Sequence, residues 1–245
     1  MSLPKSLALV PCRTSSTRLP RKNLRPFLGK PCYQWVLDDL KSSVTLPTIV
    51  LLSDEEEVVN AAKQDGVIGL LSPELCREDD LFKVGREVLA YAEEKMGRFD
   101  LFGIFYACAP LRPKGTHDLL LEPMLTGLWD RAAIVTPVPL GSHPWTHLQR
   151  LGDGRLVAMP IGNVWINSQL FPTVYQDTAC GSLTKREYVE PLAEDREFIR
   201  SLRAFGIVYP YEETSDIDTA FDAEWVEFLM RRRQEKENGI APTMP

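Results

Sequence analysis

The thirteen residues from Pro11 to Asn23 hold four cations, Arg13, Arg18, Arg21 and Lys22, and four consecutive hydroxyls, Thr14, Ser15, Ser16 and Thr17. Guanidinium forks, ammonium groups, hydroxyls and backbone N–H groups all donate to phosphate oxygens, so this run reads as a seat for a polyphosphate. A solvated basic turn would have the same composition. The run directly follows the apolar stretch Leu7-Ala8-Leu9-Val10, and loops leaving the carboxyl ends of buried strands are where open α/β sheets bind ligands. Near the other terminus Asp216 and Asp218 stand two apart. In an extended segment they project to one side and can share a hard cation. Ahead of a helix, Asp216, Asp218 and Thr219 are equally ordinary capping residues.

Periodicity supplies the elements that must position these groups. Gly29-Lys30-Pro31 opens a helix with Cys32, Val36, Leu37 and Leu40 on one face. Residues 48–52 read as a buried strand ending at Ser53-Asp54, where Asp54 and Glu57 form a capping-box pattern ahead of Val58, Val59 and Ala62. Residues 67–71 make a short strand, and Leu81, Val84, Val88, Leu89 and Ala92 mark a longer helix. An aromatic-rich strand over 101–106 is halted by Pro110, Pro113 and Gly115, with Thr116 capping the next helix. A strand over 132–138 follows. Gly141, Pro144, Gly152-Asp153-Gly154 and Pro160 then signal turns and a hairpin, and residues 155–185 mix short strands with an excursion. The last strand is expected at 206–210. Beyond it, Asp216-Ile217-Asp218-Thr219 leads into a helix with Asp222 and Glu224 in its first turn and Arg231, Arg232 and Arg233 at its end, as the helix dipole favours. Residues 235–245 read as a frayed tail. Strands alternating with helices imply a mainly parallel sheet in a three-layer α/β domain spanning 1–245.

Composition narrows the function. A net charge of −6 over 245 residues argues against sequence-independent nucleic-acid binding, which needs a broad basic face. Five cysteines, Cys12, Cys32, Cys76, Cys108 and Cys180, show no metal-ligand spacing and read as reduced thiols of a cytoplasmic protein. No apolar run is long enough to span a membrane. Neither G-x-G-x-x-G nor G-x-x-x-x-G-K-[ST] occurs, so nicotinamide and P-loop fingerprints are missing. His143 and His147 flank Pro144 and lack a third ligand nearby, which makes them loop histidines rather than a metal pair.

The residues Arg13, Ser16, Thr17, Arg18, Leu19, Pro20, Lys22 and Asn23, followed by Gly29-Lys30-Pro31, resemble the N-terminal motif of the cytidylyltransferases that activate acidic keto-sugars, the sialic acid-type and deoxyoctulosonate-type synthetases. Ser53-Asp54-Glu55-Glu56, Ala109-Pro110-Leu111-Arg112 and Asp216-Ile217-Asp218-Thr219 agree in order, and Asn167, Gln169, Pro172, Val174 and Tyr175 resemble a further family segment. The resemblance implies a Rossmann-like fold of the nucleotide-diphospho-sugar transferase type and magnesium-dependent joining of CMP to an acidic keto-sugar with release of pyrophosphate. It makes Arg13, Ser15, Ser16, Thr17, Arg18, Lys22 and Asn23 the nucleotide-binding set. Arg13, Lys22, Asp216 and Asp218 become the catalytic set, with Mg2+ on the two aspartates. Tyr106, Arg112 and Gln169 are then expected around the sugar, Arg112 equally as part of a loop salt bridge. A homodimer built through the excursion around 140–175 is also implied.

The chain departs from that family on the acceptor side. Thr17 stands where sialate-type members carry lysine, Tyr106 replaces a glutamine of the sugar site, Ser168 replaces an arginine, Thr178-Ala179 replaces an N-G pair, and Q-G-D-x-P is missing. An altered acceptor, a nucleotide-binding module without catalysis, and a nucleotidyltransferase with another base and acceptor all fit these departures.

Overall fold

The computed structural model describes residues 3–152, 155–158 and 167–239. Their elements run β1 (Ser6–Pro11), β2 (Pro26–Phe27), β3 (Lys30–Pro31), α1 (Cys32–Lys41), β4 (Thr48–Ser53), α2 (Glu56–Gln64), β5 (Ile68–Leu71), α3 (Leu81–Met96) and β6 (Leu101–Ile104). The second half contains α4 (Thr116–Met124), β7 (Arg131–Pro137), β8 (Leu148–Arg150), β9 (Leu156–Ala158), β10 (Tyr175–Lys185), α5 (Val189–Glu194), β11 (Ala204–Val208) and α6 (Ala220–Glu237). Seven strands form one sheet in the order β11-β7-β10-β6-β1-β4-β5, and only β10 runs antiparallel to its neighbours. The mainly parallel three-layer architecture expected from the sequence is therefore present.

β1 shows why the layers form. Leu7 to Val10 are apolar without interruption, and successive side chains feed opposite faces. Ala8 and Val10 pack with α1, α2 and α4, whereas Leu7 and Leu9 pack with α3 and α5. The chain leaves β1 toward β4 on one side and leaves β6 toward β7 on the other. Loops at the carboxyl ends of β1 and β6 thus diverge, opening a crevice at the switch point of the sheet.

Several local expectations are corrected. Asp54 and Glu57 form no capping box: α2 begins at Glu56 without a side-chain cap, and Asp54 Oδ1 instead accepts the Thr14 N–H at 2.8 Å. Thr116 is inside α4 rather than capping it. The cap is Gly115 at φ +67°, and the Asp39 carboxylate accepts the Gly115 and Thr116 N–H groups. β6 ends at Ile104, because Phe105 N–H bonds Leu9 and Tyr106 N–H bonds Ala179, pulling the chain between two neighbours. α6 runs a turn past Arg233, so Arg231, Arg232 and Arg233 do not end it; its start is a capping box of Thr219 with Asp222. The expected hairpin is β8 with β9, while Asp153, Gly154, Pro160 and residues 240–245 lie outside the described residues. No helix among the described residues is long and apolar enough to cross a membrane.

His117 on α4 ties three elements together. Ser6 and Thr45 hydroxyls each lie 2.8 Å from its ring nitrogens, and Thr45 gives its proton to Asp118. Nδ1 therefore carries the proton and donates to Thr45, and Nε2 accepts from Ser6. Burial holds this neutral imidazole at a pKa of about 4, against 6.5 ordinarily. As pH falls from 6.5 toward 4 the unfolded chain takes up this proton before the native one does, removing up to roughly 3 kcal/mol of stability. His117→Gln keeps one donor and one acceptor but cannot titrate. Urea denaturation at pH 7 and pH 4.5 should show a smaller acid loss in the variant than in the wild type; equal losses would contradict this role.

Candidate nucleotide-binding site

The crevice is a cleft of about 400 Å³ whose walls include Arg13, Lys22, Asn23, Tyr106, Asp216 and Asp218. Backbone geometry sets the loop after β1. Asp54 holds Thr14, Arg21 adopts a left-handed conformation at φ +54°, and residues 22–24 form one 3-10 turn. Asn23 Nδ2 donates to the Arg13 carbonyl at 2.8 Å, closing the loop on itself. Leu19, the apolar residue among the cations, packs in a third cluster with Phe27, Leu111, Ile217, Ala223 and Val226. Ile217 is the apolar residue between the two aspartates. The two polar motifs are thus joined through their single apolar members.

Charge reinforces that junction. Lys22 Nζ donates to the Ile217 carbonyl at 2.9 Å and to Asp218 Oδ1 at 2.8 Å, and Arg18 lies 3.0 Å from Asp218 Oδ2. Burial opposes the charge on Lys22, yet neighbouring Cys108 and the carboxylates of Asp218 and Asp216 outweigh it and raise its pKa. Asp216 has no ion-pair partner among the described residues. Its side chain is open to the cleft but enclosed by the walls, and this enclosure, then repulsion from Asp218, raises its carboxyl above 3.8. Arg13 reaches across the mouth to within 3.7 Å of Asp79. Cys76 and Cys108 line the cleft, but burial lifts them to about 12 and about 11, so neither is a thiolate nucleophile near neutrality. All five cysteines are free and buried.

Ser16 Oγ and Asn23 Oδ1 are buried and have no hydrogen-bond partner among the described residues, and of the two only Asn23 lines the cleft. Ser15 and Thr17 are exposed on the loop and are not among the cleft-lining residues. Arg21 forms a paired contact with Glu55 at 2.7 and 2.9 Å on the rim. Among the described residues no group of three or more His, Cys, Asp or Glu side chains could hold a metal. Two carboxylates alone suit Mg2+, which keeps several waters and relies on substrate phosphates for its other ligands.

Arg112 and Gln169 do not line the cleft. Arg112 is 3 % exposed, and its guanidinium donates to the carbonyls of Ala109, Cys180 and Tyr106 at 2.8 to 3.0 Å. It meets neither a carboxylate nor a salt bridge partner; it braces the cleft wall. Gln169 is exposed on a 3-10 turn at 168–170. His143 bonds Pro172 and Trp145 within the same excursion, so it is a loop histidine as expected, though a buried one.

The sequence reading missed the wall between β5 and α3, where Leu75, Cys76, Glu78, Asp79 and Leu81 line the cleft. The signal was available: this segment leaves the carboxyl end of a parallel strand, as the β1 loop does.

The cytidylyltransferase family model matches residues 7–87. Over 90 residues the chain is 37% identical to 3-deoxy-manno-octulosonate cytidylyltransferase of Acidobacterium capsulatum, a match covering 36% of this chain and 37% of that one. Pseudaminic acid cytidylyltransferase of Campylobacter jejuni is 25% identical over 236 residues, covering 94% of this chain and 98% of the relative. Among solved structures, CMP:2-keto-3-deoxy-manno-octonic acid synthetase complexed with CTP superposes with a TM-score of 0.69 at 16% identity over 94% of this chain and 99% of that one. The structure of 4-diphosphocytidyl-2C-methyl-D-erythritol synthase gives 0.66 at 13% identity over 92% and 99%. These two likenesses show the fold.

Arg112→Met would leave the Ala109 and Cys180 carbonyls without this donor and the Tyr106 carbonyl with the Ala109 N–H, at a cost of about 2 to 4 kcal/mol. Urea denaturation should show this loss, and Arg112→Lys should recover only part of it. An unchanged midpoint for Arg112→Met would rule out the bracing role.

Proposed function

We propose that this chain, which belongs to the cytidylyltransferase family, transfers CMP from CTP to an acidic keto-sugar and releases pyrophosphate. The observation that carries this reading is the convergence of Arg18 and Lys22 on Asp218, beside Asp216, at one end of a cleft. Triphosphate oxygens would replace Asp218 as the partner of these cations, with Arg13 and the Ser16 hydroxyl as further donors. The opposite floor, of Leu52, Leu75 and Val84, suits the face of a base. Asn23 Oδ1 is the unpaired acceptor for an amino group or ribose hydroxyl.

In the reaction a sugar hydroxyl oxygen bonds the α-phosphorus as the bond to the pyrophosphate oxygen breaks, and the hydroxyl proton leaves to water. Negative charge grows on the departing oxygens, where the fixed cations Arg18 and Lys22 stabilise it without reorganising. Asp216 and Asp218 would hold magnesium, which when bound supplies charge neutralisation on the phosphate oxygens. The relatives named for 3-deoxy-manno-octulosonate and pseudaminic acid support an acidic sugar acceptor. A second copy of the chain would pack on the excursion, where Leu140, Leu148 and Leu170 are exposed, and buried thiols suit action in the cytoplasm.

With CTP, Mg2+ and a panel of acidic keto-sugars, pyrophosphate should form only when all three are present. Asp216→Asn, Asp218→Asn and Lys22→Met should each lower turnover by roughly a hundredfold or more. Tight CTP binding without pyrophosphate across the panel would replace this reading by that of a nucleotide-binding module, and full turnover in both aspartate variants would refute their role.

A further inference from the structure

We infer that a groove opening from the nucleotide cleft seats the acceptor, and that Arg196 receives its carboxylate; this rests on the transfer reading above. The groove, of about 340 Å³, shares Asp79, Leu81 and Tyr106 with the cleft, so a molecule in one abuts a molecule in the other. Its remaining walls are Asp80, Phe82 at the start of α3, Leu192 on α5, and Arg196 and Ile199 in the 3-10 segment Arg196–Ser201.

Arg196 is built to present a fork. Its Nε donates to Asp80 Oδ2 at 2.8 Å. Asp80 is only 5 % exposed and is itself fixed, because Oδ1 accepts the Phe82 and Lys83 N–H groups that begin α3. The arginine side chain is nonetheless 69% exposed, and among the described residues its Nη groups make no hydrogen bond. An anchored guanidinium with free N–H groups matches a carboxylate. Glu78, Asp79 and Asp80 lie near it and repel any anion, a singly charged carboxylate less than a multiply charged phosphate.

The rest of the groove selects the body of the sugar. Leu192, Phe82 and the partly exposed Ile199 are apolar, so they suit methyl or acyl substituents better than a row of hydroxyls. Tyr106 stands on the shared wall with no hydrogen-bond partner for its phenol among the described residues, and is free to bond a sugar hydroxyl beside the reacting phosphate. The class indicated is an acidic keto-sugar carrying apolar substituents.

The test is steady-state pyrophosphate release with pseudaminic acid, which carries acylamino and methyl groups, and with 3-deoxy-manno-octulosonate. It uses the full chain as wild type, Arg196→Gln, Arg196→Lys and Tyr106→Phe. Arg196→Gln should raise the acceptor KM by about tenfold or more while the CTP KM stays within about twofold, with Arg196→Lys intermediate. Wild type should prefer pseudaminic acid. Melting temperatures identify any variant that loses the Asp80 contact as a fold defect, and Arg196→Lys then carries the comparison. An unchanged acceptor KM in folded Arg196 variants overturns the seat and leaves the transfer reading standing. No pyrophosphate from wild type with any acidic sugar overturns the transfer reading and the seat with it.

Discussion

Lys22 and Ile217 stand 195 residues apart, and the hydrogen bond between them ties the loop after β1 to the segment before α6. Each motif needs the other. The loop after β1 crowds Arg13, Arg18 and Lys22 together, and the segment before α6 crowds Asp216 and Asp218. Like charges so close repel, and enclosure raises the cost. Asp218 forms ion pairs with both Arg18 and Lys22, so neutralisation comes from the facing segment. Leu19 and Ile217, packed in one apolar cluster, hold the two backbones at the separation that makes those ion pairs possible. A nucleotide with a divalent ion would match the same charges in reversed pairing, phosphates to the cations and metal to the carboxylates.

The sheet supplies the rigid frame behind that junction. β10 pairs with β7 and β6 but shifts register between Asp177 and Ser182, which pushes Thr178 to Gly181 out toward the cleft. Arg112 holds this bulge through Cys180 and holds the neighbouring chain after β6 through Tyr106. Gly181, at φ +151°, packs against the Phe105 ring so closely that a Cβ would sit 2.6 Å from it. At the far end, Asp130 binds Lys185 and Arg203, stapling β7, β10 and β11; the paired guanidinium of Arg203 keeps its carboxyl far below the ordinary range. The cleft wall at Tyr106 and Ala179 thus depends on a buried arginine, a glycine and one bulge, whereas the loop after β1 is held by Asp54 and by the segment before α6.

That contrast explains what could be read from residues alone. β1, β4 and α1 declare themselves because their apolar residues follow one period without interruption, and the β1 loop declares itself by composition. The aspartate pair was legible as a pattern, with its capping alternative, and Thr219 with Asp222 proves to be the cap. Arg112 was not legible: its three partners are backbone carbonyls, two from its own loop and one from β10, and carbonyls carry no sequence signal. Asp54 looked like a cap because its spacing to Glu57 is right, but the neighbouring Thr14 N–H competes for the same oxygen and wins. β10 was blurred by the bulge, since Gly181 breaks the alternation that marks a strand. His117 drew no reading from the sequence, and burial beside Ser6 and Thr45 makes it a neutral link.

The central claim is that the loop cations and the aspartate pair form one site for a nucleotide and its divalent ion together. Calorimetric titration of CTP into the intact chain, once in Mg2+ and once in a chelator, addresses it directly. The account predicts that Mg2+ strengthens CTP binding by roughly tenfold or more, and that Asp218→Asn abolishes most of this gain. CTP binding of equal strength with and without Mg2+ would contradict it.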